Sequence, residues 1–370
     1  MLINELTDDC LLAIFDQFDN LYHLIVCFKV CVKWSHLIVK RAKKVKYFIA
    51  NRSPLPNYLP DYVYYRDRDL IDVAGLSSLL FPNLIVAEFS DRFQEKVYCS
   101  DIEAFVRKHE PLKGMITSCR VAMEECCDKL EMLATECSEP RILRNCSSMK
   151  QLSIFDYTLD DLKEDVQCLP NLERLQRILN GSFSCQYEKL KVVEMSSYVF
   201  NIGRIFYGFQ FMDSCPNLQS AHITLKADTM LVDETFKHEC LQDLVIHFEH
   251  DSQNRIDLER VLMKYPNLKH LALRDGYLNT EYIKQLVDIL PNLVIFDVRG
   301  CRRGFQRTAS YVQNYFERNG RSTKFYCNWN RREIKSDWPQ LYTKRQKICR
   351  GFDFMERFFL TYPHRHIFDV

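Results

Sequence analysis

Glycine is scarce in this sequence, with 10 residues in 370. That scarcity argues against a phosphate-cradling glycine loop, and neither a G-x-G-x-x-G nor a Walker-type run occurs. An excess of one charge is also missing. Lys and Arg total 50 against 49 Asp and Glu, so the footprint of a general nucleic-acid binder is absent and no nucleic-acid partner is expected. No uninterrupted apolar stretch approaches the ~20 residues of a membrane-spanning helix. Residues 1–9 lack the basic start and long apolar segment of a signal peptide. The expectation is a soluble chain of the cytoplasm, the nucleus or both, with no membrane partner.

Enzyme signatures are missing too. No G-x-S-x-G elbow and no H-E-x-x-H helix is present. Cys126 and Cys127 adjoin without a spaced second pair, Cys27 and Cys31 lie one helical turn apart without evident partners, and His364 with His366 makes only a weak metal-like pair. No metal, cofactor or catalytic residue is expected. The chain reads as non-catalytic.

Cysteine, by contrast, is plentiful at 16 residues, and hydrophobic residues make up 47% of the chain. Cys27, Cys31, Cys168 and Cys240 fall inside apolar periodic runs, where a thiol serves as a small core residue. The thiols are expected to be reduced.

The first forty residues predict three short helices. Thr7 followed by Asp8 and Asp9 is a helix start, with a hydroxyl for the free N–H groups and acids at the positive end of the dipole. Leu11, Leu12, Ile14, Phe15 and Phe18 then recur at helical spacing, and Asp19-Asn20 breaks the series. A second series runs through Leu21, Leu24, Ile25, Cys27 and Phe28, and a third through Val30, Cys31, Trp34, Leu37 and Ile38. So small a module buries little surface by itself and is expected to want a partner.

The run Leu6-Thr7-Asp8-Asp9-Cys10-Leu11-Leu12-Ala13-Ile14-Phe15, then Phe18, Leu24-Ile25 and Val30-Cys31-Val32-Lys33-Trp34, resembles the F-box. Thr7 stands where that family has proline, Val32 replaces a basic residue, and the interval from Phe15 to Trp34 is about one residue longer. The resemblance implies that this helical face packs on a Skp-type adaptor and through it reaches a cullin scaffold, as in SCF-type ubiquitin ligases. By position, Leu6, Leu11, Ile14, Phe15, Leu24 and Val30 would line or support that contact, and Cys31 and Trp34 would pack inside the module. Phe15→Ala or Leu24→Ala is then expected to weaken adaptor binding without unfolding the rest.

After the module, Lys40, Arg41, Lys43, Lys44 and Lys46 read as the solvated end of a helix, in preference to a localisation signal or an acidic-partner patch. Residues 45–49 are strand-like, and residues 51–69, with three prolines and four tyrosines, read as an irregular connector lying against a surface.

Beyond it the chain repeats. Phe81-Pro82-Asn83-Leu84, Leu169-Pro170-Asn171-Leu172, Cys215-Pro216-Asn217-Leu218, Tyr265-Pro266-Asn267-Leu268 and Leu290-Pro291-Asn292-Leu293 share one motif ahead of an apolar alternation. Units of the form L-x-x-L-x-L can be seated at Leu84, Leu112, Leu130, Met149, Leu172, Leu190, Leu218, Leu241, Leu268 and Leu293. Their mean spacing, about 23 residues, is that of leucine-rich repeats. The fold class expected is therefore α/β: a leucine-rich-repeat solenoid, with a curved parallel sheet inside and helices outside, preceded by the small all-α module. A doubly wound nucleotide-binding sheet would need longer buried strands and glycine-rich turns.

The expected organisation is residues 1–46 for the helical module, 47–76 for a linker and first edge of the solenoid, 77–328 for the repeats and a terminal cap, and 329–370 for an aromatic, basic tail. Residues two, four and six places after each first leucine should point out from the strands. Asp243, His247, His270, Arg274, Asp297 and Arg299 become candidate contacts to a protein substrate, with Arg274 and Arg299 suited to an acidic or phosphorylated segment. Two roles fit: recruitment of a substrate to a cullin ligase, or a repeat scaffold acting outside any ligase.

Overall fold

The computed structural model describes residues 3–50, 61–66, 81–89, 97–117, 128–135, 140–154, 157–179, 181, 186–196, 205–227, 229–248, 258–276, 278–299, 301 and 305–327. They divide into two compact units, one ending at Met149 and one beginning at Lys150.

The first unit opens with helices α1 (Asp8–Phe15), α2 (Leu21–Phe28) and α3 (Val32–Ala42). Thr7 caps α1 by accepting from the Cys10 N–H at 3.4 Å, and Asn20 caps α2 by accepting from the Tyr22 N–H at 2.8 Å. Leu11, Phe15, Leu21, Leu24, Leu37 and Ile38 fill the space between the helices. Strands β1 (Tyr47–Ala50), β2 (Tyr62–Tyr65), β3 (Val86–Phe89), β4 (Gly114–Thr117) and β5 (Met132–Thr135) form a parallel sheet in the order β5-β4-β3-β1-β2, and α4 (Cys99–Lys108) connects β3 to β4.

Two sequence expectations are corrected here. The stretch read as a connector contains β2, whose Tyr62, Val63 and Tyr65 are buried against β1 and its surroundings. Arg41, read as part of a solvated helix end, is buried. Its guanidinium donates to the carbonyls of Phe15 at 3.3 Å, Phe18 at 3.1 Å and Tyr62 at 3.3 Å. Tyr62 donates its hydroxyl to Asp19 at 3.1 Å, and the Tyr64 N–H donates to the Asp19 carbonyl at 2.7 Å. The helical module is thus fastened to β2 through the loop between α1 and α2. Lys44 lies on Asp16 at 2.5 Å and keeps its place on the surface of the same seam.

In the second unit, β6 (Gln151–Ile154), β7 (Arg174–Leu179), β8 (Val192–Ser196), β10 (Ser220–Leu225), β12 (Asp243–Phe248), β13 (His270–Arg274), β14 (Ile295–Asp297) and β15 (Lys324–Tyr326) are all parallel and neighbour one another in chain order. A separate parallel pair joins β9 (Ile205–Phe206) to β11 (Thr229–Met230). Between strands run α5 (Leu159–Asp165), α6 (Gly208–Asp213), α7 (Leu258–Leu262), α8 (Thr280–Ile289) and α9 (Phe305–Arg318). α8 is capped by Asn279, which accepts from the Tyr282 N–H at 2.8 Å. Strands that follow one another in both sequence and space, each returned by a helix or turn, form a leucine-rich-repeat sheet.

All ten residues seated at first repeat positions are buried, and each precedes its strand by two residues. The shared Pro-Asn-Leu motif has a mechanical reason. Its leucine N–H donates back to the residue before proline, at 3.2 Å in Phe81–Leu84, 3.0 Å in Cys215–Leu218 and 3.1 Å in Tyr265–Leu268, closing a β-turn for which proline is pre-set. The asparagine then reaches the previous repeat: the side-chain amides of Asn217, Asn267 and Asn292 donate to the carbonyls of Glu188, Glu239 and Pro266 at 2.7, 3.0 and 3.1 Å. Asn83 does the same to the Lys43 carbonyl at 2.8 Å, so the first such turn ties down the end of α3. Each is a single exposed hydrogen bond. Asn267→Ala should therefore lower stability by ~1 kcal/mol in urea unfolding, and a loss several times larger would mean that the turn itself had collapsed.

Cys301 closes the repeat that ends in β14. Its thiol donates to the Leu273 carbonyl at 3.2 Å as the chain leaves the strand. Burial raises this thiol to about 12, so it stays protonated and remains a donor. The cysteines assigned to core positions are less deeply placed than expected: Cys27, Cys31 and Cys168 are half-buried and Cys240 is exposed.

Candidate functional site

In the first unit the helical module carries apolar side chains on its outside. Val30 is 52% exposed and Ile14 38%, and Tyr22, Val26, Val32 and Ile3 are exposed as well. Leu6 is half-buried and held by Lys33, whose ammonium donates to the Leu6 carbonyl at 2.9 Å. The other three residues assigned to the contact, Leu11, Phe15 and Leu24, are buried in the module. They support the outer face instead of forming it, because a helix of eight residues turns only one stripe inward, and those three occupy it. Phe15→Ala and Leu24→Ala are thus cavity substitutions, expected to loosen the module as well as its binding. Trp34 packs edge-on against Phe15 at 5.1 Å between ring centres, but it and Cys31 are half-buried, not enclosed. Tyr22 and Val26, one helical turn apart on α2, were not singled out in the sequence. Their i, i+4 spacing was the available signal, hidden in a helix apolar on most sides.

In the second unit the polar face of the strands departs from expectation. Asp243, His247, His270 and Asp297 are buried instead of offered to solvent. The parallel register explains part of this, since it lays charged partners side by side on adjoining strands. Asp243 pairs across with His270, and His247 with Arg274. His270 Nδ1 stands 2.5 Å from Asp243 Oδ1, and His247 Nδ1 stands 3.3 Å from Asp275 Oδ2. Asp275 takes a left-handed backbone with φ of 57°, uncommon for a residue with a side chain.

Asp297, fully buried, holds both arginines. Arg274 Nη2 lies 2.7 Å from its Oδ2, and Arg299 grips it with Nε at 2.9 Å and Nη2 at 3.1 Å, while the Arg299 backbone N–H donates to Oδ1 at 3.0 Å. Arg274 and Arg299 keep partial exposure, with 28% and 14% of their side chains in solvent. Of the six candidates, these two remain within reach of a partner.

Further along the same face, the register sets Glu194 of β8 beside His222 of β10, which was not foreseen. Burial, with His247 and Arg274 adding to it, pushes His222 down to about 3, so this imidazole is neutral in the folded chain at ordinary pH. In the unfolded chain it returns to the ordinary imidazole value of 6.5. Between those two values the unfolded state binds the extra proton, so stability is full above 6.5 and is lost as pH falls toward 3. The group contributes a slope of up to ~1.4 kcal/mol per pH unit. Urea unfolding at a series of pH values should show His222→Gln less acid-sensitive than the wild type by close to one proton. Superimposable slopes would remove His222 from the acid response.

Among the described residues no group of three or more His, Cys, Asp or Glu is placed to hold a metal ion, and no helix is long and apolar enough to cross a membrane.

A parallel strand ladder with its Pro-Asn-Leu turns gives this chain the leucine-rich-repeat architecture. No protein-family sequence model matches the chain, and no curated protein matches it either. Solved structures do. The TLR13–ssRNA13 complex is similar over 70% of this chain and 33% of that one, at 12% identity and a TM-score of 0.39, so the chain spans about a third of that relative's length. An internalin (inlF) from Listeria monocytogenes is similar over 84% of this chain and 91% of its own, at 10% identity and a TM-score of 0.37. A protein from Bacteroides fragilis is similar over 66% and 74%, at 15% identity and a TM-score of 0.33.

Proposed function

We propose that this chain is a non-catalytic, substrate-recruiting adaptor of an SCF-type cullin ubiquitin ligase, acting in the cytoplasm, the nucleus or both. The helical module docks a Skp-type adaptor, and the repeats hold a protein target. The observation that carries the reading is the exposed apolar face of the module, with Ile14, Tyr22, Val26, Val30 and Val32 outside, on a sequence that resembles the F-box through Val30-Cys31-Val32-Lys33-Trp34. An apolar face of this kind on so small a module favours burial against a partner. In this role the chain contributes proximity and leaves ubiquitin chemistry to other subunits.

A second reading is a repeat scaffold outside any ligase. It draws on Thr7, which caps α1 where the F-box family has proline, and on the longer α1–α2 interval, whose Asp19 is engaged with β2.

Ile14→Asp and Val30→Asp place a charge on the outer face without touching the core. Each should weaken binding to the Skp adaptor by about tenfold or more while leaving thermal unfolding in place. Unchanged affinity in both variants would move the contact elsewhere and favour the scaffold.

A further inference from the structure

We infer that the Arg274–Asp297–Arg299 cluster is a carboxylate-binding site, and that the target segment held by the repeats is acidic and unphosphorylated at this point. The inference rests on the recruiting role proposed above and adds the chemistry of what is recruited.

The geometry is that of a prepared anion site. Asp297 is fully buried and fixes two guanidinium groups through their bonds to its two oxygens. Arg274 commits only Nη2, and Arg299 commits Nε and Nη2. Among the described residues, Nε and Nη1 of Arg274 and Nη1 of Arg299 are left as donors, on side chains with 28% and 14% of their surface in solvent. A planar fork already held in place loses less freedom on meeting a carboxylate than a free side chain would.

Charge decides the class of ligand. Two arginines against Asp297 leave one positive charge, and Asp275, adjacent to Arg274 in the chain and 3.3 Å from His247, offsets part of it. A phosphate dianion would meet more repulsion from Asp297 and Asp275 than a singly charged carboxylate does. The cluster therefore suits a Glu or Asp side chain better than a phosphoserine.

Fluorescence anisotropy with labelled hexaglutamate, hexaglutamine and phosphoserine-containing peptides tests this on the full chain. Hexaglutamate should bind in a salt-sensitive manner, hexaglutamine should not, and the phosphopeptide should bind no tighter than hexaglutamate. Arg274→Gln and Arg299→Gln should each weaken hexaglutamate by about tenfold or more. Because Arg→Gln also unbalances Asp297, Arg274→Lys serves as the folded control: it keeps the charge, loses the fork, and should fall between. All variants should retain Skp-adaptor binding, since that face belongs to the helical module. Equal affinity of the wild type and both Arg→Gln variants, absence of hexaglutamate binding by the folded wild type, or preference for the phosphopeptide would overturn the assignment. Loss of Skp-adaptor binding in the wild type with peptide binding intact would remove the ligase role and leave this site standing.

Discussion

Arg41→Met should cost ~3–5 kcal/mol, one of the two largest losses expected of any single substitution here, because it removes the fastening between the helical module and the sheet. The guanidinium is buried and donates to three carbonyls, two in the α1–α2 segment and one in β2. Burial lowers its pKa, while Asp16, Asp19 and Asp61 oppose that shift and keep the group charged. Methionine matches much of the volume but leaves three carbonyls without this donor, each costing ~1 kcal/mol or more, and strips Asp16 of a neighbouring cation at 3.8 Å. Arg41→Lys should rescue little, because one ammonium lacks the fork needed to serve carbonyls on separate elements. Lys40→Met, one residue away and exposed, should change stability by less than ~0.5 kcal/mol. Hydrogen exchange resolves the outcome: amides of α1–α3 should exchange faster in Arg41→Met while those of β12 and β13 hold. Equal protection throughout would show that the module does not depend on this residue.

The second large effect is expected at Asp297. Asp297→Ala takes from Arg274 and Arg299 the carboxylate that fixes both and removes the acceptor of the Arg299 N–H. Breaking one partner of a buried ionic group typically costs ~3–5 kcal/mol, most of it from the charge left behind. Asp297→Asn keeps shape and one acceptor oxygen and should lose about half as much. Midpoints of urea unfolding compare the three proteins directly. A change within ~0.5 kcal/mol for Asp297→Ala would mean that the cluster is solvated enough to dispense with its carboxylate.

Repeat architecture was legible because it depends on local pattern. A buried leucine or methionine two residues before each of ten strands, and a Pro-Asn-Leu turn whose bonds span three residues, can be read from the chain alone. The three helices were legible for the same reason, down to the Thr7 cap. β2 was missed because the prolines at 54, 56 and 60 masked a short tyrosine strand that exists only by pairing with β1. Arg41 was hidden among lysines, since composition does not say which member of a charged run turns inward. The polar strand face misled for a third reason. His270 and Asp243 are 27 residues apart, and Arg274 and Asp297 are 23, so only the register brings them together. Sequence reading took paired, buried charges on that face for open ones. Leu11, Phe15 and Leu24, expected to line or support an adaptor contact, lie buried inside the module.

The central claim is that the outer face of the helical module serves a Skp-type adaptor. Co-expression of the full chain with that adaptor, followed by size-exclusion chromatography and mass measurement, tests it most directly. The account predicts a stoichiometric one-to-one complex that Val30→Asp disrupts while the chain stays folded. A folded chain that elutes alone at micromolar concentrations of both proteins would contradict it.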